Sequence, residues 1–271
     1  MPRRIALLNE KGGSAKTTLV ASIGAYLALR RGRRVLGVDM DPQGQLGKVL
    51  GVDARRTPRS SIELLLDTLL GDAAHAPPAG LPLVATRIPR FDVIVASKEL
   101  GLAPAFERED ADPTGRLRRK LDVASEIQRY DYVLVDAPPS FGTLTLNVLR
   151  AVDEVVIPVP LTFLALDGCA ELARTIDTVR SRYAHAALRV TMVVPTFHRR
   201  TRMAEEVLEA LRARFPKELA QTVVGYHVKI DEAQSRGLSI FEYAPRDRGA
   251  RVLAALAQEL EARAPLSGAA R

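Results

Sequence analysis

The chain has 271 residues, 47% of them hydrophobic, and a formal charge of +7. That is enough apolar material for one substantial core, with a charge balance that suits either polyanionic partners or a solvated basic surface. Its one cysteine, Cys169, excludes a disulfide framework and a cysteine-ligated cluster, and His75, His185, His198 and His227 lack metal-ligand spacing.

Arg3-Arg4 lead straight into an apolar run, and no apolar stretch approaches membrane-spanning length. Neither a signal peptide nor a spanning helix is expected, and a reducing cytoplasm is the default compartment. After the apolar run Ile5 to Leu8 comes Asn9-Glu10-Lys11-Gly12-Gly13-Ser14-Ala15-Lys16-Thr17-Thr18, then an alanine-rich helical pattern from about Lys16 to Arg31. Strand, glycine turn and helix start surround an anion with backbone N–H groups and the positive end of a helix dipole. Lys16 then supplies a point charge and Thr17 a Mg²⁺ ligand.

The standard phosphate loop has glycine where this chain has Glu10 and Ala15, and here a second lysine, Lys11, precedes the paired glycines. The position before the lysine takes a left-handed backbone, where a Cβ costs roughly 1–2 kcal/mol. Ala15 is therefore expected to weaken nucleotide binding by up to about tenfold.

Gly32 ends the first helix, and the run Val35 to Asp39 continues into Met40-Asp41-Pro42-Gln43-Gly44. The spacing makes a βαβ unit whose crossover brings Asp39 and Asp41 to the same sheet edge as the loop, both facing the phosphates only if the chain bends at Pro42. Residues from about Gly51 to Pro82 read as surface connection, with a short apolar helix over Ile62 to Leu70 and a Pro77-Pro78 pair. Phe91 to Val95 reads as a strand, the charged stretch Glu107 to Pro113 as a connection, and Arg116 to Tyr130 as one helix with Leu117, Leu121 and Ile127 on its apolar face.

Tyr130-Asp131-Tyr132-Val133-Leu134-Val135-Asp136 reads as another buried strand ending in aspartate, and Pro138-Pro139 stops it. Asp136 can accept hydrogen bonds from Mg²⁺-bound water. A helix start at Thr143, a strand Glu154 to Pro160 and a long helix to about Tyr183 follow, then a strand Leu188 to Val194 ending in Pro195-Thr196-Phe197. Arg199, Arg200 and Arg202 crowd the entrance of a helix from Arg202 to Phe215, with Thr201 as its N-cap. They read equally as a phosphate-contacting patch or as a solvated face. A last helix reaches about Ala264, before a small-residue tail.

The pattern Lys-Gly-Gly-x-x-Lys-Thr-Thr, the Asp39-x-Asp41-Pro42-Gln43-Gly44 segment, the Asp136-Ala137-Pro138-Pro139 turn and the Thr222 to Ala233 stretch resemble, in order and spacing, the ParA/MinD family of deviant Walker A ATPases, specifically its ParA (Soj-like) branch. The resemblance implies one α/β domain over residues 1–264, a twisted, mostly parallel sheet flanked by helices on both faces, with 265–271 as a tail. It implies ATP and Mg²⁺ as ligands, with Gly12, Gly13, Ser14, Ala15, Lys16, Thr17 and Thr18 cradling the phosphates and Thr17, Asp39 and Asp136 on the metal side. Asp41 is implied to position the attacking water, and Pro195 and Phe197 to lie at the adenine.

It further implies a nucleotide-dependent homodimer in which Lys11 reaches into the partner's site, slow hydrolysis that resets the dimer, and a ParB-like or other cargo adaptor. Nonspecific DNA would meet Arg199, Arg200, Arg202 and Lys229, placing the ATP-bound protein on the nucleoid. Gly225-Tyr226-His227 replace the family's Pro-Arg-Asn, so one family arginine is lost. The alternative is a scaffold or regulator of the same fold whose turnover Ala15 disables. A membrane switch would need a basic, amphipathic C-terminal helix, whereas Leu256 to Arg263 is mixed and small; no membrane partner is expected.

Overall fold

A computed structural model describes residues 1–66, 80–102, 111–162, 165–264 and 266. Pro77-Pro78, the last four residues of the helix expected over Ile62 to Leu70, residues 107–110 of the charged stretch and most of the tail lie outside the described residues.

Among the described residues the sheet has eight strands: β1 (Arg3–Leu7), β2 (Val35–Asp39), β3 (Val84–Ala85), β4 (Phe91–Ile94), β5 (Tyr132–Asp136), β6 (Glu154–Pro160), β7 (Arg189–His198) and β8 (Val224–Gly225). Their spatial order is β3-β4-β2-β5-β1-β6-β7-β8, with every pair parallel except β3·β4. The central strands are continuous apolar runs because both faces are covered. Along β1, Ala6 and Leu8 join one core cluster while Ile5 and Leu7 join the other, and β5 divides Val133 and Val135 from Tyr132 and Leu134 in the same way.

One face carries α4 (Arg116–Val123), α5 (Thr143–Ala151), α6 (Ala165–Arg182) and α7 (Arg202–Arg214); the other carries α1 (Lys16–Arg31), α9 (Ile240–Tyr243) and α10 (Arg248–Arg263). Of the short helices, α3 (Glu63–Leu66) joins the first face, and α2 (Gln45–Val49) and α8 (Val228–Ser235) join the second. Gly24 lets α1 close on the sheet, since a Cβ there would sit 2.4 Å from the Phe91 ring.

Two sequence expectations are corrected. The helix expected from Arg116 to Tyr130 breaks at Ala124, which is extended (φ −72°, ψ 112°), and a short 3-10 turn over Ser125–Arg129 completes the stretch. The strand expected to stop at Val194 runs on to His198, because β6 pairs it through Pro160↔Thr196 and β8 pairs it through His198↔Gly225. Pro195 is consequently a buried strand residue and not part of a terminal loop.

Candidate nucleotide site

The carboxyl ends of β1, β2 and β5 meet where the strand order reverses about β1, the place where open α/β sheets bind ligands. Register sets Asp136 beside both Leu7 and Asp39, so the loop after β1 and the two aspartates share one edge. The loop then enters α1, whose N-terminus is capped by no side chain. Its first-turn N–H groups are therefore free for an anion.

Ala15 takes φ 78°, ψ 17°, the left-handed conformation its position demands, and Gly13 has φ +69°. Alanine has thus not reshaped the turn; it occupies it at a cost of roughly 1–2 kcal/mol. Ser14 is buried, its hydroxyl without a partner among the described residues, while its carbonyl accepts a hydrogen bond from Thr196 Oγ1 at 3.3 Å.

Lys16 Nζ donates to the carbonyls of Asn9 (3.0 Å) and Lys11 (3.3 Å). Burial lowers its pKa, opposed by the charges of Asp136 and Asp41. Asn9 gives the loop its first bend: its Oδ1 accepts from the Lys11 N–H at 2.9 Å, and its Nδ2 donates to the Pro158 carbonyl at 2.6 Å. Sequence reasoning passed over Asn9, although an asparagine two residues before a loop residue is the signal for such a side-chain turn.

Thr17 Oγ1 donates to Asp136 Oδ2 at 2.6 Å, and the buried Asp136 Oδ1 has no hydrogen-bond partner among the described residues. A hydroxyl and an orphaned carboxylate oxygen beside an anion cradle fit Mg²⁺, which takes one or two protein oxygens and completes its shell with water and phosphate. Burial pushes the Asp136 carboxyl up to about 7, against the Thr17 hydrogen bond and the Lys16 charge. Asp39 is raised too, by burial first and then by the charge of Asp136.

Asp39, expected on the metal side, also binds backbone. Its Oδ1 accepts from the Asp41 N–H at 3.1 Å and its Oδ2 from the Leu46 N–H at 3.0 Å, so the carboxylate holds the turn and the first residues of α2. Asp41 is partly exposed beyond that bend, with Oδ1 accepting from the Gln43 N–H at 3.0 Å. Pro42 follows it, as the bend requires.

A family model described as an AAA domain matches residues 2–190. The chromosome-partitioning ATPase Soj of Thermus thermophilus is 39% identical over 261 residues, covering 96% of each chain. The sporulation initiation inhibitor protein Soj of Bacillus subtilis is 36% identical over 268 residues, covering 97% of this chain and 99% of its own. The chain belongs to the ParA/MinD family of P-loop ATPases. A solved structure of cobyrinic acid a,c-diamide synthase from Mycobacterium smegmatis, with bound ATP analog and magnesium, is 32% identical over 95% of this chain and 93% of its own, with a TM-score of 0.77.

In this ParA/MinD chain the remaining site residues fall in two places. Lys11, Gly12, Gly13 and Thr18 lie on the loop and the first turn of α1. Phe197 lies at the end of β7 in a left-handed conformation (φ 53°), next to the buried Thr196 that reaches Ser14.

The basic residues are separate from the loop. The His198↔Gly225 pairing brings the segment that follows β7 beside the one that follows β8, from which α7 and α8 diverge to opposite faces of the sheet. Arg199 and Arg200 are exposed; Arg202 pairs with Glu206 at 2.9 Å and Lys229 with Glu232 at 2.7 Å, both in solvent. Such exposed pairs exchange readily for other anions.

Cys169 is buried, and burial raises its thiol to about 12, leaving it inert. Among the described residues no helix is long and apolar enough to cross a membrane.

Proposed function

We propose that this chain is a partitioning ATPase of the ParA type: an ATP-dependent dimerising switch that binds DNA without regard to sequence and positions a chromosome, plasmid or other cargo through a ParB-like adaptor. It acts in the cytoplasm, on the nucleoid when ATP-bound. The observation that carries this reading is the loop itself, with Lys11, Lys16 and the Thr17–Asp136 hydrogen bond gathered at one sheet edge in a chain similar along its length to Soj proteins.

ATP lies with its phosphates on the N–H groups of Gly12 to Thr18. Lys16 leaves its carbonyl contacts to hold β and γ oxygens, and Lys11 meets the partner subunit's nucleotide. Thr17 and Asp136 would hold Mg²⁺, which would supply charge neutralisation at the phosphates. Asp41 orients the attacking water, and Asp39 keeps Asp41 in place through its N–H. Hydrolysis removes the charge that holds the two subunits together, and the dimer falls apart. The left-handed turn at Ala15 favours this reading over a scaffold with a disabled loop.

DNA meets the entrances of α7 and α8, where Arg199, Arg200, Arg202 and Lys229 contact phosphates. Binding to duplexes of unrelated sequence should appear with Mg-ATP and weaken steeply with salt. Charge reversal by Arg200→Glu with Arg202→Glu should weaken it at matched salt; unaltered affinity would leave these arginines as a solvated face. A small-molecule synthase, the name carried by the Mycobacterium smegmatis structure, would instead need an added acceptor before ATP turned over.

A further inference from the structure

The helix α8 touches the phosphate loop at one end and the basic surface at the other. At its carboxyl end Gln234 Nε2 donates to Thr18 Oγ1, in the first turn of α1, at 3.0 Å. Just beyond it, Gly237 (φ +62°) lies against Gly51 (φ +75°), so closely that a Cβ on Gly237 would stand 2.6 Å from the Gly51 Cα. Gly51 follows α2, whose first residues hang from Asp39. One end of α8 is thus seated on the elements after both β1 and β2.

The amino end carries Tyr226, Val228 and Lys229, all exposed. These side chains are tied to α8 itself: the Tyr226 hydroxyl donates to Asp231 at 2.6 Å and Lys229 pairs with Glu232 at 2.7 Å. Eight residues long, α8 is about 12 Å from end to end, and its Gln234 side chain joins it to the nucleotide loop through Thr18.

We infer that Gln234 is a positioning residue: it holds the Thr18 hydroxyl and, through α8, makes the affinity of the basic surface depend on the nucleotide loop within one subunit. This rests on the DNA-binding reading above. Coupling of this kind is reciprocal, so DNA tightens nucleotide binding by the same factor as nucleotide tightens DNA binding.

The test compares DNA affinity with and without a slowly hydrolysed ATP analogue and Mg²⁺, for the parent, Gln234→Leu, Gln234→Met and Thr18→Val with and without Gln234→Leu. Molecular mass is followed alongside by light scattering. The parent should show the enhancement, and both Gln234 variants should dimerise with the analogue yet lose about fivefold or more of it, the lower range of measured couplings. In the Thr18→Val background, Gln234→Leu should change nothing further, because the interaction it removes is already gone.

Enhancement equal to the parent's in Gln234→Leu and Gln234→Met would overturn the inference while leaving the DNA reading standing. So would a loss that merely follows failed dimerisation. Absence of DNA binding by the parent would remove the DNA reading and this inference with it.

Discussion

The Thr17 hydroxyl and the Asp136 carboxylate are joined by a 2.6 Å hydrogen bond across 119 residues of sequence, and it ties the first turn of α1 to the end of β5. Among the described residues only one Asp136 oxygen is engaged; the other is buried without a partner. Leaving a carboxylate oxygen dry is unfavourable unless a proton or a cation meets it, so the site is tuned to take up one of the two.

A pH dependence follows from this. Asp136 stands at about 7 in the folded chain, against roughly 3.9 in an unfolded one. Between those values the folded state holds a proton that the unfolded state has lost, so this group's contribution to stability falls as pH rises from 4 to 7. About three units corresponds to something on the order of 4 kcal/mol. Denaturant unfolding without nucleotide should show Asp136→Asn gaining stability relative to the parent as pH rises through this window; a constant difference would contradict the raised carboxyl.

Ala15→Gly should relieve the left-handed turn. The gain can enter folding or nucleotide affinity, so it is best read where both count, as unfolding free energy at saturating Mg-ATP. We expect an increase of about 1 kcal/mol, the strain removed less the greater freedom of glycine in the unfolded chain. Stability equal to or below the parent's would show that Ala15 is no handicap.

At the opposite edge of the sheet, Arg3 and Glu154 form a buried pair at 2.7 Å, with Thr191 donating to the same carboxylate at 2.8 Å. Burial acts to raise Glu154, but the Arg3 hydrogen bond and charge hold it below its ordinary value. Glu154→Ala strands the Arg3 guanidinium and should destabilise the chain by roughly 3–5 kcal/mol. Arg3→Met combined with Glu154→Leu should restore most of that loss in a thermal or denaturant melt. A single variant as stable as the parent would mean Arg3 finds water.

The sheet was legible because its central strands are buried on both faces and read as unbroken apolar runs between turns, two of them ending in the aspartates Asp39 and Asp136. Lys16, Thr17 and Asp136 were legible because their chemistry fixes their spacing. Asn9, Thr196 and Gln234 were not: each acts through a single side-chain bond to a residue remote in sequence or to backbone, which leaves no periodic trace. The resemblance implies Asp39 on the metal side; its hold on the backbone of Asp41 and Leu46 shows only in the geometry. The extension of β7 was hidden because β8, its partner, is two residues long.

The switch itself is tested most directly by an equilibrium titration of the purified chain with ATP and Mg²⁺, beside ADP, with molecular mass followed by light scattering. Saturable binding of both nucleotides, with doubling of the mass for ATP alone, is the predicted result. No binding at millimolar ATP would contradict it and make the chain a scaffold on a ParA fold.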